Sequence, residues 1–336
     1  MPKVTLATIA EATGLSKFAV SRALSGKDGV SAATRERVRR VALDMGYNQS
    51  AEPDEISVLG VVFNNAEIIN SELHLRIQGG VQVEAQRRGY EVRNCWSSDR
   101  REILAFARSC RGIALVGRHE RDTILAVGAL GLPVARSGWV EPLDPFDVVS
   151  GTDHEAGSAV ARYLLGLGHR TIAYVHGTPG YRGRVERFYG LREVLEPHSD
   201  VAFREMRFQS ETRFLEHLEL AHSDGFFPTA FFCAHDGMAL TVMSELLRLG
   251  LRIPEDASVV GFGDYSAATQ IWPPMTTVRV QGHEIGAGLV RMLDDRLRGK
   301  LPADIPFRLQ VASTLVIRGS AGPAGPAGAS GANLGR

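Results

Sequence analysis

Thr5-Leu6-Ala7-Thr8-Ile9-Ala10-Glu11-Ala12-Thr13-Gly14-Leu15-Ser16-Lys17-Phe18-Ala19-Val20-Ser21-Arg22-Ala23-Leu24 reads as two short helices about a glycine turn. Thr5 is placed to cap the first, Leu6 to Thr13, which gathers Leu6, Ile9 and Ala10 on one face. Gly14-Leu15 turns the chain, and Ser16 caps a second helix, Lys17 to Leu24, that Ser25-Gly26 ends. Ser31 caps a third, Ala32 to Met45, where Val38, Val41, Ala42 and Met45 recur at helical spacing before Gly46. This pattern is that of a helix-turn-helix, although shape alone also suits a generic three-helix bundle.

Side-chain chemistry separates the two. In a helix-turn-helix the second helix enters the major groove with its N-terminal residues against base edges. Those residues are Ser16, Lys17, Phe18, Ala19, Ser21 and Arg22. Lys17 and Arg22 suit guanine O6 and N7, and Phe18 and Ala19 suit thymine methyls. Phe18 has a competing place in a core, but Leu15, Val20, Ala23 and Leu24 already supply the inner face. Thr5, Ser16, Ser31 and Thr34 lie at helix starts, where hydroxyls and open backbone N–H groups suit phosphate oxygens. Residues 1–47 carry eight cationic and four acidic side chains, a net of +4. The whole chain balances 38 Lys+Arg against 38 Asp+Glu, so the remainder is −4. The asymmetry predicts a separate module with an anionic partner.

With 336 residues, 44% hydrophobic and 23% charged, the chain is long enough for more than one core and excludes a mostly disordered or fibrous protein. The start, Met1-Pro2-Lys3-Val4, offers no apolar signal core, and no apolar run reaches the ~18 residues of a membrane span. Cys95, Cys110 and Cys233 are odd in number and match no zinc spacing. The expectation is a cytoplasmic protein with no membrane partner, metal or cofactor.

From Val58 the pattern alternates between apolar strands and amphipathic helices. Strands are expected at about 58–63, 90–95, 112–116, 134–137, 171–176, 202–207, 230–234 and 258–262. Helices are expected at about 73–88, 155–167, 184–195, 211–221, 237–249 and 284–298. Continuous apolar runs fit parallel strands buried on both faces. Some 260 residues predict two α/β lobes, with ligands bound at the strand carboxyl ends between them.

Residues 4–16, then Ala19-Val20-Ser21-Arg22-Ala23-Leu24-Ser25-Gly26 and Val30-Ser31-Ala32-Ala33-Thr34-Arg35-Glu36-Arg37-Val38, resemble the DNA-binding head of the LacI/GalR family of bacterial transcription regulators. The resemblance resumes at Gly168-His169-Arg170-Thr171-Ile172-Ala173, Arg187-Phe188-Tyr189-Gly190, Asp236-Gly237-Met238-Ala239-Leu240 and Pro273-Pro274-Met275-Thr276-Thr277-Val278. It implies an all-α three-helix head followed by a two-lobed α/β periplasmic-binding-protein-like domain with parallel sheets. The chain would cross between lobes near Ser150, Arg279 and Leu309. The implied domains are a DNA-binding head over 1–47, a linker over 48–58, an effector-binding and dimerisation domain over 59–318, and a Gly/Ala/Pro-rich disordered tail over 319–336.

Two departures from the family stand out. The linker carries Glu52, Pro53, Asp54 and Glu55 where the family has a longer segment with a short helix that puts a leucine into the minor groove, so it reads as a solvated spacer. In the effector domain, Arg187 matches the family arginine that holds a ligand hydroxyl. His235 replaces the asparagine of an Asn-Asp pair before Asp236, and Gly263 displaces an expected acid to Asp264. The candidate effector residues are therefore Asp153, Arg187, His235, Asp236 and Asp264. Asp153 and Asp236 read equally as helix caps, and Trp139 and Trp272 as sugar-stacking or packing residues.

One loop, Gly177-Thr178-Pro179-Gly180-Tyr181-Arg182-Gly183-Arg184, resembles a phosphate cradle but lacks the Gly-Lys-Ser/Thr of a phosphate loop and the dinucleotide spacing. It reads as an exposed cleft loop, while Arg182, Arg184 and Arg187 retain the capacity to receive an anion. No hydrolase or metalloprotease motif is present. The expected function is a non-enzymatic, homodimeric repressor of palindromic operator DNA, controlled by a carbohydrate-like effector. The alternative is a cytosolic sensor with weak or lost DNA binding, and an enzyme stands third.

Overall fold

The computed structural model describes residues 4–24, 29–45, 57–64, 71–138, 141–177, 181–207 and 214–325. The linker up to Ile56, Trp139 and the last eleven residues of the tail lie outside them. The chain divides into two compact units at Ser57/Val58.

The first unit holds α1 (Leu6–Thr13), α2 (Lys17–Leu24) and α3 (Ala32–Asp44). Thr5 and Thr8 form a reciprocal cap on α1, and Gly14 ends it at φ 67°, in the left-handed region that glycine tolerates. Ile9, Val20, Ala23, Leu24, Val38 and Ala42 make its small buried core. Arg37 reaches from α3 to the carbonyl of Thr13 at 2.6 Å, tying the third helix to the turn.

The second unit runs β1 (Ser57–Phe63), α4 (Ser71–Arg88), β2 (Tyr90–Trp96), α5 (Arg100–Ala107), β3 (Gly112–Val116), α6 (Arg121–Gly128), β4 (Val134–Ser137) and β5 (Asp147–Gly151). It continues with α7 (Asp153–Gly166), β6 (Thr171–Val175), α8 (Arg182–Leu195), β7 (Ala202–Met206), α9 (Phe214–Ser223), β8 (Ala230–Cys233), α10 (Asp236–Arg248) and β9 (Ser258–Val260). It closes with α11 (Ala267–Gln270), β10 (Thr277–Arg279), α12 (Gly282–Leu297), β11 (Arg308–Val311) and β12 (Thr314–Val316).

Two sheets organise it. The N-lobe sheet has the order β11-β5-β4-β3-β1-β2 and the C-lobe sheet β7-β6-β8-β9. Alternation decides which helices each face buries. Leu59, Val61 and Phe63 point into one core with Ile77 and Leu289, while Val62, Ile113 and Leu115 pack with Ile103, Ile124 and Val127. In the C-lobe, Ile172 and Tyr174 meet α7 and α8, and Ala173 and Val175 meet α9 and α10. The chain passes from β5 into α7 at Thr152, from β10 into α12 at Val280-Gln281, and from β11 into β12 at Ala312-Ser313. The crossings lie one to four residues beyond the expected positions, and β10 and β12 pair antiparallel beside them.

Helices α7 and α8 approach closely because Gly157 and Gly190 lack side chains. A methyl at Gly157 would run into the carbonyl oxygen of Arg187, and one at Gly190 into that of His154. Gly157→Ala should therefore lower stability by roughly 1–3 kcal/mol, the cost of overpacking. A chemical-denaturation midpoint unchanged from wild type would contradict this close contact.

The tail departs from its expected disorder over Gly319–Gly325. Ser320 is buried and accepts and donates along β9, its carbonyl from the Val259 amide at 2.8 Å and its Oγ to the Val259 carbonyl at 2.6 Å. The Ser258 hydroxyl accepts from the Gly322 amide, and Ala324 donates to the Leu167 carbonyl. Small residues let this strap lie flat against the C-lobe, and its backbone groups are satisfied there.

Candidate functional site

On the head, the second helix presents the expected surface. Ser16, Lys17 and Phe18 are exposed, with Ala19, Ser21 and Arg22 half-buried. Phe18 is 69% exposed, which removes it from the core and leaves an aromatic face to solvent. The Arg22 guanidinium lies 5.3 Å from the Phe18 ring centroid, so cation and ring form one patch. Ser16 Oγ accepts from the Ala19 amide and Ser31 Oγ from the Thr34 amide, both at 3.2 Å. Thr5 Oγ1 accepts from Thr8. The Ser31 and Thr34 hydroxyls also pair with each other at 2.8 Å. These hydroxyls hold the helix starts in place, and the neighbouring first-turn amides remain open to anionic oxygens.

Between the two sheets of the second unit lies a cavity of about 700 Å³, within the usual ligand range of ~300–1,000 Å³. Its C-lobe wall includes Asp153, Tyr181, Arg184, Arg187, His235, Phe262 and Tyr265; its N-lobe wall includes His74, Arg118, His119, Arg136, Ser137 and Ser150. Arg187 is a cation of the C-lobe wall held by three partners. Its Nε donates to Asp153 Oδ1 at 2.8 Å, its Nη1 donates to the Ala234 carbonyl, and its Cζ sits 3.4 Å from the Phe262 ring centroid. The guanidinium is thus fixed in plane with part of its donor fork left for a ligand. Asp153 opens α7 as its first helical residue but serves as this brace. The α7 N-cap is Thr152, which makes no side-chain cap.

His235, not Asp236, caps α10: its Nδ1 accepts from the Met238 amide at 3.1 Å. That bond leaves the ring proton on Nε2. Burial pushes the His235 pKa down to about 3, and Arg184 and Arg187 add to the shift, so His235 stays neutral at the wall.

Asp236 and Asp264 are corrections to the expected site, since neither lines the cavity. Asp236 is fully buried. Its Oδ1 accepts from Thr277 Oγ1 at 2.5 Å and its Oδ2 from the Tyr265 amide at 2.6 Å. It ties α10 to β10 and to the loop carrying Tyr265. Asp264, at φ 53°, accepts from Arg279 and Arg318, each at 2.6 Å. Burial alone would raise its pKa, but these two partners outweigh it and hold it low. Both carboxylates are spent on the hinge strands. Trp272 is 82% exposed and also outside the cavity wall. The N-lobe wall residues Arg118, His119, Ser137 and Ser150 were missed, although they follow or end β3, β4 and β5, where the strand-end rule points. His74 comes from α4 and carried no sequence signal.

Burial lifts the Asp236 pKa to about 6 against its hydrogen bonds. A carboxyl with a folded pKa above its unfolded value favours folding when protonated, so its contribution is present below about pH 4 and lost as pH rises to about 6. Against Asp236→Asn as reference, wild-type stability should fall over that interval by up to ~3 kcal/mol. Denaturant melts of both proteins at pH 4.5 and 7 measure it, and a constant difference would contradict the shift.

Two family models match the chain. Residues 5–50 match that of bacterial regulatory proteins of the lacI family, and residues 161–321 match a periplasmic binding protein-like domain. The transcriptional regulator CelR of Thermobifida fusca is 29% identical over 94% of this chain and 98% of its own length. The head is a lacI-family DNA-binding domain. The HTH-type transcriptional regulator DegA of Bacillus subtilis is 27% identical over 96% of this chain and 99% of its own length. A solved CelR–cellobiose complex superimposes with a TM-score of 0.67 and 27% identity, covering 95% of this chain and all of that one. A LacI-family head with an exposed recognition helix makes the protein a DNA-binding transcription regulator. Among the described residues, no helix is long and apolar enough to cross a membrane.

Proposed function

We propose that the chain is a cytoplasmic, homodimeric repressor whose operator binding is controlled by a carbohydrate held in the cavity between its lobes. Arg187, braced by Asp153, the Ala234 carbonyl and the Phe262 ring, carries this reading. A pre-oriented guanidinium over an aromatic face offers both hydroxyl recognition and an apolar platform for a sugar ring. Asp153 and His235 complete the C-lobe contacts, with Tyr181 and Tyr265 adding aromatic surface. Lys17, Phe18, Ala19, Ser21 and Arg22 read bases, while Thr5, Ser16, Ser31 and Thr34 hold phosphates. Two heads related by a two-fold axis call for a palindromic site.

An effector touching both walls binds the closed lobes better than the open ones, and shifts the population by that difference alone. CelR, solved with cellobiose, makes a disaccharide the natural first ligand to try. The test is calorimetric titration of the full chain with cellobiose, ribose and other sugars, repeated with operator DNA present. Reciprocal weakening or strengthening of the two ligands supports the reading. Sugar binding with no change in DNA affinity would contradict it.

A further inference from the structure

We infer that the effector carries an acidic group, a carboxylate or a phosphate, seated at the C-lobe end of the cavity against Arg184, Arg187 and His235. This rests on the carbohydrate reading only for the rest of the ligand. Among the described residues the two walls differ in charge. The N-lobe wall matches Arg118, Arg121 and Arg136 with Glu120, Glu141 and Asp144. The C-lobe wall sets Arg182, Arg184 and Arg187 against Asp153 alone. Glu186, outside the wall, pairs with Arg182 at 2.8 Å, and the balance stays positive.

Hydrogen-bond polarity points the same way. A neutral sugar hydroxyl must donate as well as accept, whereas an ionised acid only accepts. This end of the cavity is rich in donors: two guanidiniums and the Nε2–H of His235, whose Nδ1 is committed to Met238. The first turn of α8, Arg182 to Val185, lines the cavity with no acidic side chain and no side-chain cap at Tyr181. Its positive dipole end adds to the field. Asp153, the one acceptor carboxylate there among the described residues, already receives Arg187.

Arg184 sets this site apart from one built on Arg187 alone. It is only 4% exposed, yet it lines the cavity, and its guanidinium lies 4.2 Å from the Tyr181 ring centroid. The Tyr174 hydroxyl donates to its carbonyl at 2.6 Å, which fixes its backbone. Burial lowers the Arg184 pKa and Arg187 lowers it further, and both guanidiniums oppose protonation of His235. Positive charge held so close in a low-dielectric wall gains most from an anion.

The experiment titrates the full chain with matched probes: glucose, glucuronate, glucose 6-phosphate and, as a sugar-free acid, citrate. An acidic sugar should bind at least tenfold tighter than glucose, with the preference shrinking from 50 to 500 mM salt. The glucuronate and glucose 6-phosphate arms tell carboxylate from phosphate. Arg184→Gln should remove the preference, while Arg184→Lys, which keeps the charge, should retain part of it. Glucose binding as tightly as both acids would overturn the inference and leave the carbohydrate reading intact. Binding of citrate with no sugar bound would overturn the carbohydrate reading and leave the acid site standing, and silence from every probe would overturn both.

Discussion

Arg187→Ala should abolish the response to effector while leaving DNA affinity in its absence within about threefold of wild type. The truncation removes a ligand donor and leaves Asp153 without its 2.8 Å partner and Phe262 without its cation. Loss of a charged hydrogen-bond donor to the ligand costs roughly 1.5–3 kcal/mol, at least about tenfold in effector affinity. The head folds around its own core, so its intrinsic affinity for DNA has no reason to change. Arg187→Lys should rescue little, because an ammonium cannot bridge Asp153, the Ala234 carbonyl and a ligand in one plane. Titration of effector against a preformed DNA complex checks this. A variant released at the wild-type concentration would remove Arg187 from the site.

Arg22→Ala should weaken binding to the cognate operator by roughly 1–3 kcal/mol, about 5- to 150-fold, and binding to random DNA far less. Arg22 shares a surface with Phe18 on the second helix, where a guanidinium reads a guanine edge. A base-edge contact is lost only where that base is present, whereas a phosphate contact is lost everywhere and also lowers the salt slope. Competition with random DNA at two salt concentrations separates them. Equal losses on both DNAs would make Arg22 a phosphate contact.

The head was legible nearly residue for residue because its signals are local. Thr5, Ser16 and Ser31 cap, Gly14 turns, and the apolar residues keep helical spacing. The central strands were legible for a related reason: both faces are buried, so each is an unbroken apolar run such as Gly112–Val116. β11 and β12 escaped because they lie by the crossings, are three or four residues long and hold no fully buried residue. α5 had a usable signal, Asp99 accepting from the Glu102 amide with Ile103 and Ala107 buried one turn apart, but no glycine marks its end as Gly14 marks that of α1.

The site was only half legible. Arg187 and Asp153 stood out singly, but their pairing depends on the glycine contact between α7 and α8, 34 residues apart in sequence. Asp236 and Asp264 follow strands and so looked aimed at a ligand. What decides their role is Thr277 and Arg318, 41 and 54 residues away, brought in by the antiparallel hinge strands. No local pattern announces such a partner. The same distance hides the charge imbalance of the C-lobe wall, which exists only once α8 and the His235 turn meet.

Sequence-specific DNA binding and ligand binding are expected to reside in one chain and to control each other. A mobility-shift assay with DNA from upstream of the protein's own gene, with and without neutral and acidic sugars, tests it most directly. The expected result is a discrete complex that survives excess random DNA and is released or tightened by one of these ligands at a saturable concentration. Equal affinity for upstream and random DNA, unmoved by every ligand, would contradict it.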